Sequence, residues 1–246
     1  MNIKKIMFYI CIVLSVFVIY KVTFKNEINY VALGDSFALG INPYGEEGFG
    51  YTDYIRDYLA DKDKLGYYTK SFSKKSQKIE DLYDDINNNK IIVENGNRYN
   101  IKNRLRESDL VTLSIGMDDF IQGMTLDGII SRLDDIDAQK KRIDEISHEF
   151  EKLLELIKMY AKGEIIVIGY YNPFPYLTSY KQEIDTLVEY SNKKFQQVCG
   201  KKDAYFIRIS DYFKDRLDYL PNPFGINPTV LGYNEIFKQI KKVIDR

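Results

Sequence analysis

Short apolar runs alternate with segments of helical period from Ile28 to the end of the chain. Runs at 30–33, 110–115, 165–169 and 205–209 are rich in β-branched and aromatic residues, and a weaker run lies at 67–72. Runs of this length and composition predict five short strands. Between them, apolar residues recur every three or four positions over 51–59, 79–86, 146–160 and 180–198, and again over 229–244, which predicts helices. The stretch 87–103 reads as loop and turn, and 125–141 as a polar helical insertion. Alternation of buried strands with helices implies a parallel sheet covered on both faces, an α/β fold. Ligand sites in such sheets lie at the carboxyl ends of strands, so the residues after Leu33, Phe72, Ile115 and Gly169 share one rim.

The first residues follow a different pattern. Lys4 and Lys5 precede an uncharged apolar run over 6–20, which reaches Phe24 if Lys21 snorkels to the interface. The run ends Val-Ile-Tyr-Lys-Val-Thr-Phe, without the small residues of a cleavage site, so an uncleaved signal-anchor is expected rather than a removed signal peptide. The lysines hold the amino end inside and place the remainder outside the cytoplasm. The expected organisation is an anchor and juxtamembrane segment over 1–27 and one domain over 28–246, in a single-pass protein of the cell membrane.

Charge narrows the partners. Lys and Arg number 35 against 36 Asp and Glu, interspersed along the chain, which gives no basic surface for nucleic acid. Of two cysteines, Cys11 lies in the apolar run and only Cys199 remains for the domain, so no disulfide forms within it. The single histidine, His148, falls off the apolar stripe of its helix and reads as a solvated position. With so little histidine and no Gly-x-x-x-x-Gly-Lys loop, neither a metal nor another cofactor is expected.

The chemistry-bearing blocks fall at the predicted strand ends. They read Gly34-Asp35-Ser36, then Gly48-Phe49-Gly50-Tyr51, then Ser114-Ile115-Gly116-Met117-Asp118-Asp119, then Gly169 through Pro175, and last Ile226-Asn227-Pro228 with Gly232-Tyr233. Together and in this order they resemble the GDSL/SGNH hydrolase family, most closely its membrane-anchored lipase/acylhydrolase branch of Gram-positive bacteria. That resemblance implies a three-layer α/β/α fold with a flavodoxin-like parallel sheet of about five strands. It also implies ester hydrolysis with Ser36 as nucleophile and its own amide as part of the oxyanion hole.

Carried over position by position, the resemblance exposes departures. Ser76 takes the place of the oxyanion-hole glycine and can still offer a backbone N–H. Asp118 replaces the asparagine whose amide faces the oxyanion, and a carboxylate donates no hydrogen bond unless protonated. Asn227 replaces the histidine base and Phe224 the orienting aspartate. A serine hydroxyl is a poor nucleophile until a base takes its proton. Loss of a triad member costs on the order of 10⁴ to 10⁶ in turnover, and loss of an oxyanion donor about 10² to 10³. Each residue also has a structural role open to it: Ser36 as a helix N-cap, Asp118 and Asp119 as acidic residues at a helix start, and the aromatic loop 170–176 as packing. Two functions therefore stand: an ester hydrolase homologue with lost or strongly impaired catalysis, or a non-catalytic binding protein that uses the retained cleft. The ligand expected in either case is a small ester, a lipid or an acylated glycan.

Overall fold

The computed structural model describes residues 27–121 and 125–246. Five parallel strands form the central sheet: β1 (Ile28–Gly34), β2 (Leu65–Thr69), β5 (Leu110–Ser114), β6 (Glu164–Ile168) and β7 (Tyr205–Ile207), in the order β2-β1-β5-β6-β7. This is the flavodoxin-like order, in which the chain reverses direction between β1 and β5 and opens a crevice at their carboxyl ends.

Side-chain alternation explains the layers. On β1, Val31 and Leu33 enter one core and Tyr30 and Ala32 the other, all with no exposed surface. The first core is closed by α3 (Ile79–Asn87), α4 (Ile101–Glu107), α7 (Ile136–Tyr160) and α8 (Lys181–Lys201). The second is closed by α2 (Tyr51–Asp61) and α10 (Val230–Ile244), through residues such as Ile55, Leu59, Ile236 and Ile240. Four short helices complete the domain: α1 (Ser36–Leu39), α5 (Met117–Ile121), α6 (Leu126–Leu133) and α9 (Ser210–Phe213).

The three-layer architecture and five-strand sheet match the expectation, with two corrections. The stretch 87–103 is not loop alone. It holds an antiparallel hairpin of β3 (Ile91–Glu94) and β4 (Asn97–Asn100), turned by Asn95 and Gly96 at φ 51° and 79°, and α4 begins within it. Asn-Gly adopts the doubly left-handed turn whose twist suits a hairpin, so the signal was present. Helix α7 begins ten residues before the apolar stripe at Ile146, because its first turns carry mostly polar side chains under an Asp135 cap that accepts from Ala138 N at 2.9 Å.

No helix among the described residues is long and apolar enough to cross a membrane. The expected anchor at 6–20 lies outside the described residues.

Candidate functional site

The crevice starts where β1 stops. Gly34 has φ 134°, and a Cβ there would lie 1.9 Å from the Ser114 carbonyl oxygen, so only glycine lets β1 and β5 meet this closely at the turn. Asp35 then donates its N–H to the same Ser114 oxygen at 3.0 Å and caps α1, its carboxylate accepting from Phe37 N at 3.0 Å. Asp35, not Ser36, is the helix cap, and Ser36 is the first helical residue. Its hydroxyl is therefore not spent on capping.

Ser36 Oγ accepts a hydrogen bond from the Ser76 backbone N–H at 3.3 Å. Ser76 has φ 55°, the left-handed region that favours glycine, and the segment leading to it is pinned to the end of β1 by Ser73 Oγ on the Ala32 oxygen and Lys74 N on the Gly34 oxygen. The position has thus kept a glycine-like backbone geometry with a serine in it. The Ser76 side chain is hydrogen-bonded to Asp118, whose carboxyl is buried in the first turn of α5.

Burial pushes the Asp118 pKa up, against the lowering effects of the Ser76 hydrogen bond and the Lys78 charge. Asp35 is raised well above the usual range, first by burial and then by the nearby Asp118 charge. Two carboxyls thus share the floor of the crevice, and the Asp118 charge adds to burial in disfavouring ionisation of Asp35. Asp119 points away from it, accepting from Ile79 N at 3.2 Å at the start of α3, and burial raises its pKa to about 6.

The loop carrying Asn227 is fastened at several points. Tyr176 Oη donates to the Pro221 oxygen at 3.1 Å, Asn222 Nδ2 to the Pro43 oxygen at 2.8 Å, and Tyr171 Oη to the Ile226 oxygen at 2.5 Å. Tyr171 also packs on Phe37 of α1, with ring centroids 5.6 Å apart. Asn227 Oδ1 is buried and has no hydrogen-bond partner. Phe224 is 81% exposed on the outer side of the loop, a position from which its ring orients nothing in the crevice. His148 is exposed on α7, in a surface hollow with Asp144, Glu151 and Lys194.

Chemically, the crevice offers a serine hydroxyl, one directed N–H and two buried carboxyls, Asp35 and Asp118. Among the described residues, no three His, Cys, Asp or Glu side chains group as metal ligands.

An adjoining feature escaped the sequence reading. Met117 and Tyr170 line both the small hollow above Asp35 and a larger apolar cavity of about 100 Å³ between α5, α6 and α8, walled by Phe120, Phe174, Leu187 and Val188. Tyr170 is fixed there by its hydroxyl on the Ile115 oxygen at 2.9 Å and its N–H on the buried Asn192 at 2.7 Å. Tyr170, Tyr171 and Phe174 are all buried, so most of the aromatic loop is packing, and only Tyr176 reaches the surface.

Known proteins share this framework. The chain is 22% identical over 227 residues to YpmR of Bacillus subtilis (strain 168), covering 90% of this chain and 83% of that protein. The fold superposes on the lipase Lip_vut3 from a goat rumen metagenome with a TM-score of 0.69 at 20% identity, covering 87% of this chain and 96% of the lipase. It superposes on phospholipase A1 of Streptomyces albidoflavus NA297 at 0.65 and 14%, covering 88% and 99%. For the acetylxylan esterase Axe2 of Geobacillus stearothermophilus the values are 0.59 and 16%, covering 91% and 97%. Residues 32–234 match the GDSL-like lipase/acylhydrolase family, and this chain belongs to that family.

Proposed function

We propose that this protein is a membrane-anchored, extracytoplasmic member of the family that binds an ester in the Ser36 crevice and hydrolyses it slowly or not at all. The observation that carries this is the pairing of an intact Ser36–Ser76 contact with a missing base: Ser36 Oγ accepts the Ser76 N–H, while the base position holds Asn227. An amide nitrogen has no basic lone pair, so nothing at 227 takes the serine proton. Two catalytic mutants of the acetylxylan esterase replace a histidine and an aspartate three positions apart. Asn227 and Phe224 have the same spacing here. The apolar cavity beside the crevice supplies room for a short acyl chain, since a cavity of roughly 150 Å³ takes a ring the size of benzene.

The unpartnered Asn227 oxygen favours the second reading, a binding protein without turnover. A buried carbonyl left without a donor costs about 1–3 kcal/mol, and a ligand hydroxyl or amide that satisfied it would recover that cost on binding.

A fluorophosphonate probe tests the first reading, because labelling requires an activated serine. The expected outcome is labelling at or near background and no Ser36-dependent hydrolysis of short-chain esters. Strong labelling lost in Ser36→Ala would show that a base exists elsewhere and would end the impaired-catalysis reading.

A further inference from the structure

We infer that the apolar cavity between α5, α6 and α8 binds a free aliphatic carboxylic acid, its carboxylate held by Arg132 beside Arg142 and its chain running towards Met117 and Tyr170. The inference rests on the reading of this cavity as an acyl site and adds the head group and its direction. Helix α5 sets the axis. Met117 and Asp118 begin it beside the crevice. At its other end Arg132 Nη1 donates to the Phe120 oxygen at 3.4 Å, and Arg142 Nη2 to the Asp119 oxygen at 2.6 Å. Arg132 stands in the last turn of α6 and lines the cavity itself, as does Gln139, one turn before Arg142 on α7. Polar donors therefore gather at one end of a largely apolar space. Its volume of about 100 Å³, at roughly 10–15 Å³ for a group the size of a water or a methylene, sets the chain at about six to eight carbons.

Charge supplies the head group. Among the described residues no carboxylate lies within ion-pair distance of either guanidinium, and each bonds a main-chain oxygen instead. A guanidinium carries more N–H donors than one carbonyl uses, so both keep donors for a ligand. The two are close enough that the Arg132 charge, after burial, lowers the Arg142 pKa, against the weaker opposing effects of Asp119 and Glu145. Both arginines are half-buried, so their charges are screened less than those of surface side chains. A carboxylate placed beside them relieves that repulsion and receives charge-assisted hydrogen bonds. The opposite end of α5 offers no such group and holds the buried carboxyls of Asp35 and Asp118. The charged head therefore sits at Arg132 and the methyl end points to the crevice.

A ligand held in this way is bound without a covalent step and does not need Ser36. The competing arrangement gives the two guanidiniums a structural role alone, as caps on the last carbonyls of α5. That role predicts no preference for an acid over the alcohol of the same chain length.

The test titrates the full chain, held in lipid nanodiscs, with hexanoate and with 1-hexanol at neutral pH by calorimetry, and empty nanodiscs supply the blank. The expected result is binding of hexanoate tighter by about fivefold or more, a preference that Arg132→Gln removes while the 1-hexanol affinity stays within about twofold of the parent. Equal affinities of the parent for the two ligands, or a preference for hexanoate that survives Arg132→Gln, overturn the inference. Where Arg132→Gln loses both ligands, Arg132→Lys decides: a preference regained with the positive charge supports the head-group site, and a variant that does not regain it overturns the inference. Val188→Phe separates the two readings. Binding of both ligands that this change leaves untouched defeats the acyl site on which the inference rests. Loss of both ligands in Val188→Phe, with no acid preference in the parent, defeats the head-group assignment alone.

Discussion

At Asp118 and Asp119, adjacent carboxyls serve different ends. Asp118 closes the crevice, and Asp119 caps α3 from outside. The Asp119 pKa stands at about 6 against an ordinary value of 3.8, so the folded state holds a proton that the unfolded state releases earlier. A carboxyl raised in this way lowers stability as pH rises from about 4 to about 6, with no penalty below that window and the full penalty above it. Asp119→Asn keeps an acceptor for Ile79 N and removes the titration. Urea unfolding should show the variant equal to the parent near pH 4 and more stable by about 2–3 kcal/mol at pH 7. Parallel pH profiles for the two proteins would refute this assignment.

The crevice residues also act as a unit. Asn227→His alone should recover little hydrolysis, because the Asp118 carboxyl still stands where the proposed reaction needs an amide donor and Phe224 lies outside on the loop, leaving no acid to set the imidazole tautomer. Asp118→Asn, Asn227→His and Phe224→Asp together should exceed every single change by tenfold or more in kcat/KM for a short-chain ester, and Ser36→Ala should abolish the gain. A triple variant no better than its best single member would mean that the loop does not bring position 227 to Ser36.

Among the elements, the ends of α1 and β2 and the start of α2 are joined by one lysine. Lys70 Nζ bonds both the Asp53 carboxylate and the Leu39 oxygen at 2.9 Å, and Asp53 also receives Gly50 N at 2.9 Å at the start of α2. Asp53 is 4% exposed. Removing one partner of a buried pair leaves an uncompensated charge, and Lys70→Met should cost about 2–3 kcal/mol in denaturant unfolding, less than the roughly 3–5 kcal/mol of an unsupported pair because Arg56 also contacts Asp53. A loss under 0.5 kcal/mol would show that Arg56 alone suffices. Gly34→Ala at the end of β1 should be worse, since its Cβ meets main-chain oxygen and no rotamer relieves it. Unfolding should then become detectable at ambient temperature.

Over the whole molecule, the sheet brings α5, α6 and α8 together around the apolar cavity beside the crevice, and filling it tests the acyl-site proposal. Val188→Phe should abolish any rise in Tm caused by hexanoate, whereas Ser36→Ala should leave that rise intact, because the cavity and the hydroxyl are separate features. Persistence of the hexanoate effect in Val188→Phe would place the acyl chain elsewhere.

Local chemistry made much of this legible in the chain itself. Short apolar, β-branched runs and period-3.6 patterns located the five strands and the principal helices, because burial on both faces of a sheet or along a helix stripe selects apolar side chains in those patterns wherever the partner lies. The residue at 227 was equally plain, since an asparagine stands there whatever the packing. Other features required the folded molecule. Asp35 and Ser36 are both good capping residues, and only the register in which β1 meets Ser114 makes the aspartate the cap and leaves the serine hydroxyl for Ser76 N. The raised Asp35 and Asp118 carboxyls arise from two segments eighty-odd residues apart that come together at the point where the strand order reverses, and the cavity from α5 and α6 meeting the sequence-distant α8. Proximity between distant segments carries no local periodicity, so the chain names the residues and the tertiary structure decides which of them meet.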